Sequence, residues 1–235
     1  MKWIPDETGR FPLRPFYDTQ EIDENCDGIV IEFLTRKYGC VKLPLQTGDM
    51  ELILGEHTTE FDPYADLTNE GEDIEGVTLF FKQKDPIVRI SETLSQHYSQ
   101  ENRRRTTIAH ELGHVTFHSG LFQRIFSSGS SEDNASQPVR CNRQNISSPQ
   151  KIDWLEWQAF YAAGAFLMPI SQMEAIAQEI FNLVKVRGPF HVDSSAGRGF
   201  LTRVTHGCQI SSAAATVRLI QLGHITEDKA LAISY

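Results

Sequence analysis

The sequence contains no run of about 18 consecutive apolar residues, so no membrane-spanning helix is expected. Its opening stretch, MKWIPDETGRFPLRP, lacks the apolar centre of a secretory signal, and none is expected there. Cysteine is scarce. Cys26, Cys40, Cys141 and Cys208 are scattered without C-x-x-C spacing, which fits a reduced, cytoplasmic protein more simply than a disulfide framework. Basic charge is also short in the first hundred residues, which hold 9 basic and 20 acidic side chains, whereas the remainder holds 13 and 11. An acidic front half repels phosphate backbones, which argues against nucleic acid as the main partner. There is no internal repeat.

What is present is ordinary globular material. The chain has 235 residues, 40% hydrophobic and 23% charged, enough to bury a core in one large domain or two small ones. Apolar spacing predicts a helix over 20–38, with Thr19 as cap and Gly39 as stop. CVKLPL (40–45) reads as a strand, and Thr47 opens a short helix before an acidic loop through about residue 75. GVTLFF (76–81) and PIVRIS (86–91) form a predicted hairpin. Ser99 caps a helix through ENRRRTTIAHELGHVTFH, and 119–149 reads as a long flexible loop. Further helices are expected over 153–168, from Ser171 to Gly188, and around 195–206 and 212–222.

The informative pentapeptide is HELGH (110–114). Residues four apart share a helix face, so His110 and His114 can offer two imidazoles to one ion. Glu111 lies about 100° round the helix, close enough to act as a general base. A chain of this composition produces the motif by chance only about 0.02 times. Ile108, Leu112 and Val115 form an apolar stripe on the opposite side. Zinc suits this donor set and needs a third protein ligand, leaving one position open in catalytic sites.

His118 lies about 12 Å along the axis from His110, too far to share an ion, and is read instead as lining a cleft. Glu156 is the better third ligand. It shares a face with Ala159, Phe160, Ala163 and Leu167 on a helix without Lys or Arg, and a buried carboxylate requires a partner. The competing reading pairs it with Arg103 or Arg105; Glu132 and Asp133 are weaker ligand candidates. Asp153 reads as a first-turn carboxylate. Cys141 could reach the metal from its loop as a regulatory thiol, against the plainer reading of a thiol without a role.

These residues together resemble a known family. A strand pair, a helix ending AHELGHVTFH, and then Glu156, Ala159 and AFLMP (165–169) resemble the ImmA/IrrE metallopeptidases over roughly residues 76–223. The second signature has its aromatic at Phe160 or Phe166, with Ala162 where the family expects phenylalanine. The resemblance implies an α+β, zincin-like metallopeptidase domain with a small β-sheet, placed at 1–170, and a helical, helix-turn-helix-like C-terminal segment at 171–235. It also implies one zinc per chain at His110, His114 and Glu156, Glu111 as general base, and a helix-turn-helix repressor as substrate. His118, Tyr161 and His191 are candidates for the cleft or for stabilising the oxyanion.

The segment 203–223 matches the family's tail at Ile210, Ser211, Ala214, Arg218 and Leu219. With only Arg203 and Arg218 basic, direct DNA binding is not expected and packing or substrate docking is favoured. The alternatives to an endopeptidase are a zinc-containing transcription regulator and a non-cleaving scaffold that binds a repressor.

Overall fold

The computed structural model describes residues 1–71, 73–128, 136–142 and 153–233. The chain divides into two compact units, Met1–Asn25 with Gln46–Ala163 and Cys26–Leu45 with Gly164–Tyr235. This differs from a cut between 170 and 171, chiefly because residues 26–45 join the C-terminal residues. Among the described residues, no helix is long and apolar enough to cross a membrane.

The first unit opens with a hairpin of β1 (Lys2–Pro5) and β2 (Leu13–Phe16), for which the sequence offered no clear pattern. Its turn is held by Asp6, whose carboxylate accepts from the N–H groups of Thr8 and Phe11 and from the Thr8 hydroxyl. Helix α1 (Thr19–Tyr38) follows and passes from the first unit into the second. It stops where Gly39 takes a positive φ of 73°. CVKLPL is irregular rather than a strand, consistent with a proline that cannot donate to a ladder. Helix α2 (Thr47–Glu56) then buries Met50, Ile53 and Leu54.

The main sheet has the order β3–β5–β4–β6, with β3 (Glu60–Ala65), β4 (Ile74–Phe81), β5 (Ile87–Ser91) and β6 (Ser136–Asn142). Strands β4 and β5 are the antiparallel pair expected from the sequence, with Gly76 opposite Ile90 and Thr78 opposite Val88. Strand β3 occupies part of the stretch expected to be an acidic loop. It pairs parallel to β5 at the sheet edge, where Pro63 is tolerated at a shift of register between Asp62 and Ala65.

After α3 (Glu92–Gln96), the long helix α4 (Glu101–Ser128) packs on β4. The expectation of a loop from residue 119 is corrected here, since the helix continues through Ser128. Leu121, Phe122 and Phe126 recur at helical spacing and form a core with Phe80, Val139 and Leu155, with Phe80 and Phe122 stacked at 4.2 Å. That core also draws β6 onto the outer side of β4, where Val139 pairs with Thr78 in the ladder. Cys141 lies on β6 opposite Gly76 in the backbone pairing. Its side chain, along with Glu132, Asp133 and residues 143–149 of the expected loop, lies outside the described residues.

Helix α5 (Trp154–Leu167) comes against α4 at Gly113. The second unit contains the later part of α1, then α6 (Ile170–Val184), α7 (Ser195–Cys208) and α8 (Ser212–Gln221), with β7 (Phe190–His191) and β8 (Ile225–Thr226) pairing in parallel. Helices α7 and α8 pack together across a tight turn that uses Gln209 in the left-handed region and the Ser211 hydroxyl as N-cap, the expected helix-turn-helix-like pair. Arg218 is fully buried, and its guanidinium donates to the Met168 carbonyl.

The approach of α5 to α4 is set at Gly113. A Cβ there would stand 3.0 Å from Ala159 Cα and 3.1 Å from Ala162 Cβ. The small residues noted on α5 therefore meet a glycine on the facing helix. Gly113→Val should destabilise the protein by about 1–3 kcal/mol through overpacking. Urea unfolding of the variant against the parent measures this, and equal midpoints would contradict the packing described.

Candidate metal centre

Helix α4 is buried almost all round near its middle, because α5 lies on one side and β4 on the other. Consequently His110, Glu111, His114 and His118 are all enclosed, polar though they are. The turn separation of His110 and His114 brings their Nε2 atoms within 3.0 Å. From α5, Glu156 completes the cluster, with Oε2 at 3.2 Å from His110 Nε2 and Oε1 at 3.3 Å from His114 Nε2. Of the arginines weighed as its partner, Arg103 pairs instead with Glu75.

This geometry suits an ion. Donors bound tetrahedrally to zinc at about 2.0–2.2 Å stand about 3.3–3.6 Å from one another, close to the separations seen here. The three donor atoms all lie within 4.8 Å of one another and all three residues are buried. Moreover, Glu156 Oε2 has no aligned hydrogen-bond partner among the described residues despite the nearness of His110. Two imidazoles and one carboxylate thus converge with one carboxylate oxygen left over, and the donor set is one that zinc accepts.

Burial works to raise the Glu156 carboxyl, but the adjoining His114 and His110 outweigh it and hold the group well below the usual carboxylate range. His114 shows the reverse balance. Burial lowers it, yet the charges of Glu156 and Glu111 lift it above the ordinary imidazole value. His118, also buried and facing His114, is held well below that value.

Glu111 faces the other way, toward β4. Thr78 donates its hydroxyl to Oε2, and the carboxylate lies against Gly76, where an added Cβ would stand 2.4 Å from Oε1. Oε1 itself has no hydrogen-bond partner among the described residues. Burial raises the Glu111 carboxyl, with the two histidines and Thr78 opposing in part. Neither Gly76 nor Thr78 was singled out from sequence. A glycine inside a strand can mark a close approach, but nothing local identifies Thr78 as a partner 33 positions away.

The remaining candidates have different surroundings. His118 turns its ring toward the far nitrogen of His114 and toward Gln158. The Tyr161 hydroxyl donates to Asp23, and His191 belongs to the second unit, where its Nδ1 accepts from the Asp193 N–H. Asp153 accepts from the Leu155 N–H at the start of α5 and pairs with Arg10 at 3.5 Å.

Residues 72–192, just over half of the chain, match the IrrE N-terminal-like domain of peptidase family M78. The chain belongs to this family. No curated protein matches it. The M78 match spans both helices of the site and the strand beneath them, and a family of metallopeptidases implies a metal. His110, His114 and Glu156 are the residues that fit one.

A metal bound through His114 Nε2 would compete with the proton of the imidazolium, which is held more tightly than usual. Metal affinity should therefore weaken as pH falls through that raised value. Below that raised value, binding should release protons, so calorimetric heats should vary with the ionisation enthalpy of the buffer. Heats independent of the buffer would contradict this.

Proposed function

We propose that this M78 member is a zinc-dependent endopeptidase that holds one zinc ion per chain through His110, His114 and Glu156. The observation that carries the proposal is the convergence of those three donors beside a separate buried carboxylate, Glu111, with one oxygen left unpaired. A zinc ion bound there supplies Lewis acidity, lowering the pKa of water and polarising the scissile carbonyl. Glu111 supplies the base. Its raised pKa suits it to take a proton from the attacking water at Oε1 and return it to the leaving amine. Thr78 and Gly76 hold that carboxylate in place, one by a hydrogen bond and the other by leaving it room.

For the substrate we propose a helix-turn-helix repressor in the cytoplasm, a reading supported by the resemblance of AHELGHVTFH and AFLMP to the ImmA/IrrE peptidases. The helix pair α7–α8 is then a packing or docking element rather than a DNA reader.

Glu111→Gln should lower the rate of cleavage by at least about 100-fold while one zinc per chain is retained. Metal analysis and a cleavage assay on the same preparation test this, and an active variant would sink the mechanism. Regulation or repressor binding that persisted in Glu111→Gln without any cut would instead favour the rival readings. Gly76→Ala should also slow cleavage without loss of zinc, because the added methyl displaces the carboxylate; an unchanged rate would show that the fit at Gly76 is unimportant. Incubating the zinc-loaded protein with helix-turn-helix repressors encoded beside it should yield one defined cut.

A further inference from the structure

The two nitrogens of His114 have different surroundings. Nε2 faces His110 and Glu156, whereas Nδ1 stands 3.0 Å from Nδ1 of His118. The second nitrogen of His118 is 3.0 Å from Gln158 Oε1, and Gln158 Nε2 donates to the Pro15 carbonyl at 3.2 Å. The three side chains are buried, and Trp154 meets the His118 ring edge-on at 5.8 Å.

Hydrogen positions along this chain follow from its far end. A proline carbonyl can only accept, so the Gln158 amide must turn its NH2 toward Pro15 and its oxygen toward His118. The oxygen in turn only accepts, so His118 carries its hydrogen on Nε2, and a neutral ring then has its lone pair on Nδ1. That lone pair accepts the N–H of His114 Nδ1. In a neutral His114 the remaining lone pair therefore falls on Nε2, the atom facing the other two donors. His110 has no such support, since its Nδ1 is buried without a hydrogen-bond partner among the described residues.

We propose that the Pro15 carbonyl, Gln158 and His118 form a relay that orders hydrogens and commits His114 to the tautomer able to bind metal through Nε2. Gln158 and His118 are positioning residues. The relay begins on β2, outside the matched residues 72–192, so the N-terminal hairpin takes part in setting metal affinity. Ligand histidines are commonly oriented by a carboxylate, a carbonyl or water, and loss of such a partner typically weakens metal binding about 10–100-fold. Here a second histidine takes that place. The inference rests on the proposed metal site, but its principal readout requires neither metal nor activity.

The test uses the full, nitrogen-15-labelled chain. In the metal-free protein at alkaline pH, long-range proton–nitrogen spectra should show His114 protonated on Nδ1 and His118 on Nε2. A scalar coupling between the two Nδ1 atoms should also cross their hydrogen bond. His114 protonated on Nε2 would overturn the relay. Gln158→Met, similar in length but unable to make either bond, should mix the His118 tautomers and weaken zinc binding about 10–100-fold in chelator competition. A folded Gln158→Met with both tautomers and zinc affinity unchanged would also overturn it. If that variant does not fold, the parent spectrum decides alone. If the parent shows the expected tautomers but no zinc binding, the metal-site reading fails and the ordering of hydrogens stands.

Discussion

Where α4 passes α5, the backbone of one helix touches the backbone of the other. Gly113 has no side chain, and Ala159 and Ala162 opposite it have almost none, so a Cβ on Gly113 would stand 3.0 Å from the Ala159 carbonyl oxygen. A carboxylate side chain is short, and Glu156 can reach two imidazoles on the neighbouring helix only when the two helices come this close. Gly113 sits within the HELGH pentapeptide itself, adjacent to His114, so a single turn of α4 supplies both the two nitrogens and the gap through which the third donor arrives.

That closeness has an electrostatic counterpart. Glu111 and Glu156 are carboxylates removed from water, an arrangement that is strongly unfavourable unless each is compensated. They are compensated differently. Glu156 faces two histidines, which keep it ionised, whereas Glu111 has one hydroxyl donor and a raised affinity for protons. Two acids of like chemistry on either side of one helix are thereby separated into one held ionised and one that takes a proton more readily. Their surroundings, α5 on one side and β4 on the other, make the difference.

The parts of this site legible in the sequence are those whose chemistry requires a local spacing. His110 and His114 stand one helical turn apart. Glu156 was conspicuous as a carboxylate on an apolar face without a basic neighbour. Gly76, Thr78 and Gln158 were not singled out, because their roles depend on which strand or hairpin lies against them, and that is decided by tertiary packing. The fold divides in the same way. Helices and the β4–β5 pair follow from periodicity, while β3 was obscured by Pro63 and its acidic neighbours. The end of α4 is masked by the polar stretch after it, although Leu121, Phe122 and Phe126 stand at helical spacing.

The order of the main sheet carries one more consequence. With β5 on one side and β6 on the other, β4 has no free hydrogen-bonding edge, so the strand that touches Glu111 cannot itself recruit an extended peptide. The described edges are β3, which carries Pro63, and β6, which carries Pro138 and is paired with β4 as far as the level of Gly76 and beyond. A peptide seeking main-chain partners on this sheet would meet a proline at either edge, on β6 one strand removed from the glycine that shelters the catalytic carboxylate proposed here.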